Sequence, residues 1–326
     1  CKYKAPRLNG SNFSKTKFTR KYLYTFYHIN NAIILLNSKN IVHNDLYDRN
    51  ILIQNKNNLP IVLDFGLSYN YKELFNNKTI NISQINKFYF SYKPNHYNHL
   101  HEKNFINFII NNTYESSEPD YLNNYALVDN VNKKNDLTLG NIMICVNNFK
   151  KIFQKIFHDS NTKIYNLFSN NEFEYFLNSF EKYYSKFADK NKYSTYYEIL
   201  AELLPNVFIY TDIYSVIFLY LEIFCVNDYN VKNPIIEILH LFFKKIILAD
   251  PYERINVKQL KSMLNLIFNF IKNADYNDEN NEIQKFIIEF DNNLKKIGIN
   301  YDTFYNKEYA YINFNKIFKK KIDYTM

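Results

Sequence analysis

Between Ile41 and Gly66 the chain reads IVHNDLYDRNILIQNKNNLPIVLDFG, and this stretch carries the residues best suited to chemistry. Two carboxylates, Asp45 and Asp64, and one carboxamide, Asn50, are spaced around a predicted β-hairpin. Five positions separate Asp45 from Asn50, so one loop can present a base and an oxygen ligand to the same small volume. Phosphoryl transfer from a nucleotide requires such a set. A carboxylate orients and deprotonates the attacking hydroxyl, and two oxygen ligands hold a Mg2+ that bridges the phosphates.

The elements around these residues are readable from pattern. Residues 50–53 and 61–63 have the length and composition of strands, and the polar, Asn-rich stretch 54–60, closed by Pro60, reads as the turn between them. Asp64 then leaves the second strand beside the loop that carries Asp45. Upstream, Ile29, Ala32, Ile33 and Leu36 recur at helical spacing and predict a helix over about 17–38, capped by Ser14 or Thr16. Downstream, the polar stretch 67–87 offers Ser68, Thr79 and Ser83 for modification, and an aromatic run covers 88–95. His96, His99 and His101 follow with no cysteine nearby, so they read as a solvated loop rather than a zinc site.

Farther along, residues 142–157, 164–187 and 196–204 are apolar at helical spacing and predict a mostly helical insertion over about 104–210. Residues 211–222 are nearly all apolar, as suits a buried hub helix. An aspartate at its start, Asp212, is costly to bury unless its oxygens accept hydrogen bonds. Helices over 234–248 and 257–264 follow, and residues 266–326 form a helical, polar extension ending near Lys319, Lys320 and Lys321, a solvated end.

Composition excludes several classes. A 47% hydrophobic and 22% charged chain can bury a core. Its 31 Tyr and 29 Phe, with heavy use of Asn, Ile and Lys, point to an A+T-rich genome rather than an aromatic binding surface. The net charge of +8 is spread over scattered lysines, which read as solvated surface and not as a nucleic-acid face. Cys1, Cys145 and Cys225 are far apart without metal spacing, which suits a reducing, intracellular compartment. The apolar stretch 216–226 is short and contains Glu222, so it reads as a core helix, and no membrane span is expected.

The pattern His43-x-Asp45-x-x-x-x-Asn50, followed by Asp64-Phe65-Gly66, resembles the catalytic loop and metal-binding motif of eukaryotic-type protein kinases. Thr211-Asp212-Ile213-Tyr214-Ser215 is similar to that family's central D-[IV]-W-S-x-G helix, with Tyr214 for the Trp and no glycine. Asp250-Pro251-Tyr252-Glu253-Arg254-Ile255 resembles its D-P-x-x-R-[IPT] turn. The resemblance implies a mainly α fold: a protein-kinase-like C-terminal lobe over 1–265, a small β-hairpin at the catalytic loop, the large helical insertion, and the extension 266–326. It implies ATP and Mg2+ as cofactors and a protein substrate, serine or threonine by family weight. Asp45 is then the catalytic base, and Asn50 and Asp64 hold the metal and its nucleotide. Tyr47 replaces the family's γ-phosphate lysine, and Arg49 takes its place; Arg at this position is similar to tyrosine kinases, so the resemblance leaves the choice between serine/threonine and tyrosine hydroxyls open. His43 braces the loop against the metal-binding segment, and Asp212 accepts from the loop backbone. Arg254 pairs with the glutamate of an Ala-Pro-Glu tripeptide; aligned on Pro94 that position is Asn95, which leaves the partner open between Glu102 and another acid.

Departures matter too. Asn44 stands where many kinases have an Arg that receives an activation-segment phosphate. With only Gly10, Gly66, Gly140 and Gly298, no G-x-G-x-x-G loop is possible, so the N-terminal lobe is expected to be absent from this chain. Cys1 suggests a start inside a longer reading frame; that lobe would lie upstream or be encoded separately, and the chain alone would bind ATP weakly. Composition, loop and insertion are similar to kinase-like proteins of large DNA viruses, which places the chain in host cytoplasm; an A+T-rich protist is the other source. Two other readings stand beside the protein kinase. His43-Asn44-Asp45-Leu46-x-x-x-Asn50 also fits small-molecule phosphotransferases of the aminoglycoside or choline kinase type, and the missing lobe fits a pseudokinase-like scaffold.

Overall fold

The computed structural model describes residues 15–54, 56–76, 79–80, 100–103, 105–106, 143, 146–147, 150–151, 154, 168–189, 192–193, 195–226, 234–249, 251, 254–273 and 279–296. Cys1, Ser14, Ser83, the run 88–95, His96, His99, Cys145, Asp250 and the lysines at 319–321, all singled out above, lie outside them.

The first helix, α1 (Lys15–Ser38), buries Tyr22, Leu23, Phe26, Ile29, Ile33 and Ile34, a stripe at three- and four-residue steps. It begins one residue before Thr16, which therefore lies inside the helix and is not its cap. Asn40 closes the other end with φ 61, a left-handed turn that asparagine tolerates better than most residues. Strand β1 (Ile41–Val42) then pairs antiparallel with β4 (Tyr69–Asn70), and the Tyr71 N–H donates to the Asn40 carbonyl at 2.8 Å. This short ladder ties together the two ends of the segment 43–68.

Inside that closed segment, β2 (Ile51–Ile53) and β3 (Pro60–Val62) form the expected hairpin, with Leu52 opposite Ile61. Pro60 belongs to the strand rather than the turn. It is the first residue of β3, where its missing N–H costs nothing to the ladder. The turn is made by asparagines: Asn58 has φ 57, and the Asn57 side chain accepts from the Leu59 N–H at 3.1 Å. A single helical turn, α2 (Tyr71–Leu74), and the two-residue ladder of β5 (Phe75–Asn76) with β6 (Thr79–Ile80) complete the irregular part.

Among the described residues the rest is helical, and mainly α is the observed class. Helix α3 (Asn170–Ser185) starts at a capping box in which Ser169 and Glu172 satisfy each other's backbone N–H groups. The cap explains the start at Asn170; residues 164–167 lie outside the described residues. Its apolar face, with Phe173, Phe176, Leu177, Phe180, Tyr183 and Tyr184, is buried.

The segments 196–204 and 211–222 are one helix, α4 (Tyr196–Val226), which runs through Pro205. Residues Tyr197–Ile223 pass the length and composition test for a membrane span, yet 72% of the most apolar window is buried inside the molecule. Core burial accounts for that hydropathy.

Helix α4 packs on α1 and on α5 (Pro234–Leu248); α6 (Val257–Asn273) packs on α1, and α7 (Glu279–Lys296) covers α5 and α6. Helix α6 continues past Leu264 because Ile267 and Ile271 keep its buried stripe going. At the α1–α4 crossing Tyr22 donates to the Tyr220 carbonyl at 3.2 Å, and Tyr220 donates to Thr25 at 2.7 Å. Both phenols have their hydroxyls satisfied in the core, as burial demands.

Candidate active site

Asp212 lies on α4 and is 1% exposed. Its Oδ2 accepts the His43 backbone N–H at 2.7 Å and its Oδ1 accepts the Asn44 N–H at 2.8 Å. Burial pushes its carboxyl up; the two amides, His43 and Lys103 pull it back down, and the net direction is up. The loop that starts at His43 therefore hangs from the buried helix.

His43 is fully buried and works in two directions. The Asp45 N–H donates to its Nδ1 at 3.4 Å, so the ring proton sits on Nε2 and donates to the Leu63 carbonyl at 2.8 Å. Its ring also faces Phe65 at 4.7 Å. The Leu63 N–H meanwhile donates to the Asn50 carbonyl at 2.9 Å. Leu63 is thus held from both sides by the loop, and Asp64 is the next residue. Asn50 closes the arrangement: its amide donates to the Asp45 carbonyl at 2.8 Å and to Asp45 Oδ2 at 3.1 Å.

Asp64 adopts φ 59 and ψ 74, a left-handed conformation that turns its exposed side chain out of the strand line. Its Oδ1 accepts the Gly66 N–H at 3.2 Å. A Cβ at Gly66 would sit 3.1 Å from that oxygen, so glycine allows the close approach. Asp45 is half-buried and Arg49 is exposed on the short turn of helix at Asp48–Asn50. Asn50 and Asp64 offer hard oxygen atoms of the kind Mg2+ takes, and no group of three His, Cys, Asp or Glu side chains suited to a metal occurs among the described residues. Side-chain oxygens of one or two residues are what Mg2+ needs when phosphates fill the remaining positions. Around the site Leu52, Ile53, Ile61, Phe65 and Leu67 are exposed apolar side chains.

The partner of Arg254 is Glu102. Both are buried, with Nη1 to Oε1 at 2.5 Å and Nη2 to Oε2 at 3.3 Å. Burial alone would raise the Glu102 carboxyl, but Arg254, helped by His101, outweighs it and holds Glu102 below its ordinary value. The alignment that put Asn95 at this position is superseded by Glu102, which meets Arg254 directly. His101 is likewise no solvated loop residue. It is 2% exposed, its Nδ1 lies 3.0 Å from the Tyr184 hydroxyl of α3, and its Nε2 lies 2.9 Å from Arg254 Nη2.

Ser68, read as a modification candidate, is half-buried and donates to the His43 carbonyl at 3.2 Å. Lys103 went unnoticed in the sequence. It is 4% exposed and its Nζ donates to the Asn44 carbonyl at 3.2 Å. No sequence signal marked it, because it lies in no motif and its partner is 59 positions away.

Residues 11–114 match the family model described as protein tyrosine and serine/threonine kinase. The matched span contains α1, the loop with Asp45 and Asn50, Asp64-Phe65-Gly66, and Glu102 and Lys103. This part of the chain is protein-kinase-like, and a phosphotransfer role goes with that likeness. Asp212 and Arg254 lie beyond the matched residues and reach them only through the contacts above. No curated protein matches the chain, and no solved structure does.

Proposed function

We propose that the chain is the catalytic C-terminal lobe of a protein kinase that transfers the γ-phosphoryl group of ATP to serine or threonine hydroxyls of a protein substrate. The observation that carries this reading is the bracing of Asp45. Its loop is suspended from Asp212, its Oδ2 takes a hydrogen bond from Asn50, and its other oxygen is left to receive the substrate hydroxyl's proton. Asn50 and Asp64 would hold Mg2+, which when bound neutralises charge on the phosphates. Arg49, exposed four positions after Asp45, supplies the positive charge that Tyr47 cannot.

A nucleotide-binding lobe, upstream or on a separate chain, would cover the exposed Leu52, Ile53, Ile61, Phe65 and Leu67. Without that cover we expect weak ATP binding. The composition and separated cysteines favour an intracellular setting, host cytoplasm for a viral source.

The test is transfer from labelled ATP with Mg2+ to casein, a tyrosine-containing polymer and choline, comparing wild type with Asp45→Ala. Label on casein that disappears in Asp45→Ala supports the proposal. Label on choline instead moves the substrate to small alcohols, the reading that His43-Asn44-Asp45-Leu46 also fits. Incorporation that survives Asp45→Ala refutes the role of Asp45, and no incorporation with an added nucleotide lobe favours the scaffold.

A further inference from the structure

Asn44 is a buried residue of the loop with an unusual backbone conformation. It is 4% exposed and has φ 69, a left-handed backbone conformation. Asparagine tolerates this conformation better than most residues, and the contacts around it hold it there. Its N–H is held by Asp212 at 2.8 Å, and its side-chain amide donates to the Leu67 carbonyl at 3.2 Å. The remaining backbone atom, its carbonyl oxygen, belongs to the peptide that leads into Asp45. The N–H at the other end of that peptide points to His43 Nδ1 at 3.4 Å, a long and weak contact. The 3.2 Å contact from Lys103 Nζ to the carbonyl is therefore the stronger hold on this peptide plane.

We propose that Lys103 is a positioning residue for Asp45: by gripping the Asn44 carbonyl while Asp212 holds the Asn44 N–H, it sets the peptide plane that aims the Asp45 side chain. An ammonium at 4% exposure requires a counter-charge, and the carboxylate of Asp212, with which it interacts electrostatically, supplies one. A charged donor also grips a carbonyl harder than a neutral one. The adjacent residue Glu102 is locked to Arg254, so the helical residues 101–103 are fixed and Lys103 works from a rigid base. One segment thus joins the buried ion pair to the orientation of the loop. The catalytic consequence rests on the phosphoryl-transfer reading of Asp45; the structural one does not.

The test uses the full chain with Lys103→Met and Lys103→Arg. Amide hydrogen exchange at His43, Asn44 and Asp45 is expected to quicken about tenfold in Lys103→Met. Amides in the cores of α1 and α6 should stay at wild-type rates, and Lys103→Arg should restore the loop. If Lys103→Met does not fold, Lys103→Gln, which keeps a donor without the charge, is read against the same expectations. Where the wild type transfers phosphate, kcat should fall about a hundredfold with KM for ATP little changed, as displacement of a catalytic group produces, and Lys103→Arg should recover most of it. Unchanged exchange at 43–45, or an equal rise throughout α1 and α6, would overturn the proposal and leave Lys103 a general stabiliser. A wild type that transfers no phosphate counts against the kinase reading, while the exchange measurement still decides the role of Lys103.

Discussion

The His43 backbone N–H donates to Asp212 Oδ2 at 2.7 Å across 169 positions of sequence. The Asn44 N–H donates to the other oxygen, so a single carboxylate of α4 satisfies two consecutive buried amides. Everything the loop presents, Asp45 included, is displaced if this carboxylate is lost.

Asp212→Ala is therefore expected to lower stability by about 2–6 kcal/mol, since each of the two stranded buried N–H groups costs about 1–3 kcal/mol. Asp212→Asn keeps one acceptor and should cost less. Urea unfolding of both variants measures this. A loss below about 0.5 kcal/mol for Asp212→Ala, the range of neutral surface changes, would mean that the loop is held elsewhere.

The pair of Arg254 and Glu102 makes a second prediction. Arg254→Met strands a buried carboxylate and should cost about 3–5 kcal/mol. The double variant Arg254→Met with Glu102→Leu should be more stable than either single variant, because no charge is left uncompensated. Strict additivity in a double-mutant cycle would contradict the coupling drawn from the geometry.

Asp64 and Asp45 should separate in a metal titration. Asp64→Asn is expected to raise the Mg2+ concentration needed for nucleotide binding by about tenfold, ~1.4 kcal/mol. Asp45→Asn should leave it nearly unchanged, because the proposed base is not a ligand. Isothermal calorimetry with a non-hydrolysable ATP analogue distinguishes them, and equal effects would reassign one of the two carboxylates.

His240 gives the acid limb of stability. Burial, with Lys244 beside it, pushes its imidazole from 6.5 down to about 4, while Glu172 pulls the other way. Between those values the unfolded chain takes up a proton that the folded chain refuses. Stability is thus fully present above 6.5 and is lost as pH falls through that window. The slope is at most ~1.4 kcal/mol per pH unit, and ~2 kcal/mol by pH 5. Glu102, held low, adds a loss in the same direction only below its ordinary value of 4.5. Unfolding midpoints measured from pH 7 to 5 for wild type and His240→Leu check this: the variant should show the flatter profile.

The hairpin and the grouping of the candidate site residues were legible because both depend on near neighbours. Asp45, Asn50 and Asp64 lie within 20 positions, and strand alternation with Asn-rich turn chemistry says how that short chain must run. Pro60 was misread as turn because a proline can also open a strand without losing a ladder bond. Helix α4 joins two segments that the sequence separates, 196–204 in the insertion and 211–222 in the hub helix, because the motif resemblance resumes only at Thr211. Packing on α1 and α5 kept it continuous.

By itself the amino-acid sequence determined the local set: two carboxylates and a carboxamide at spacings that suit phosphoryl transfer, on a loop followed by a hairpin. Only the tertiary structure decided which distant groups meet that set. It settled the partner of Arg254, left open between Glu102 and another acid, as Glu102, buried His101, and brought Lys103 to the Asn44 carbonyl. The reason is physical. Helical and strand periods act over a few residues, whereas a buried charge or peptide group must find its partner wherever close packing brings one, and that partner leaves no periodic trace.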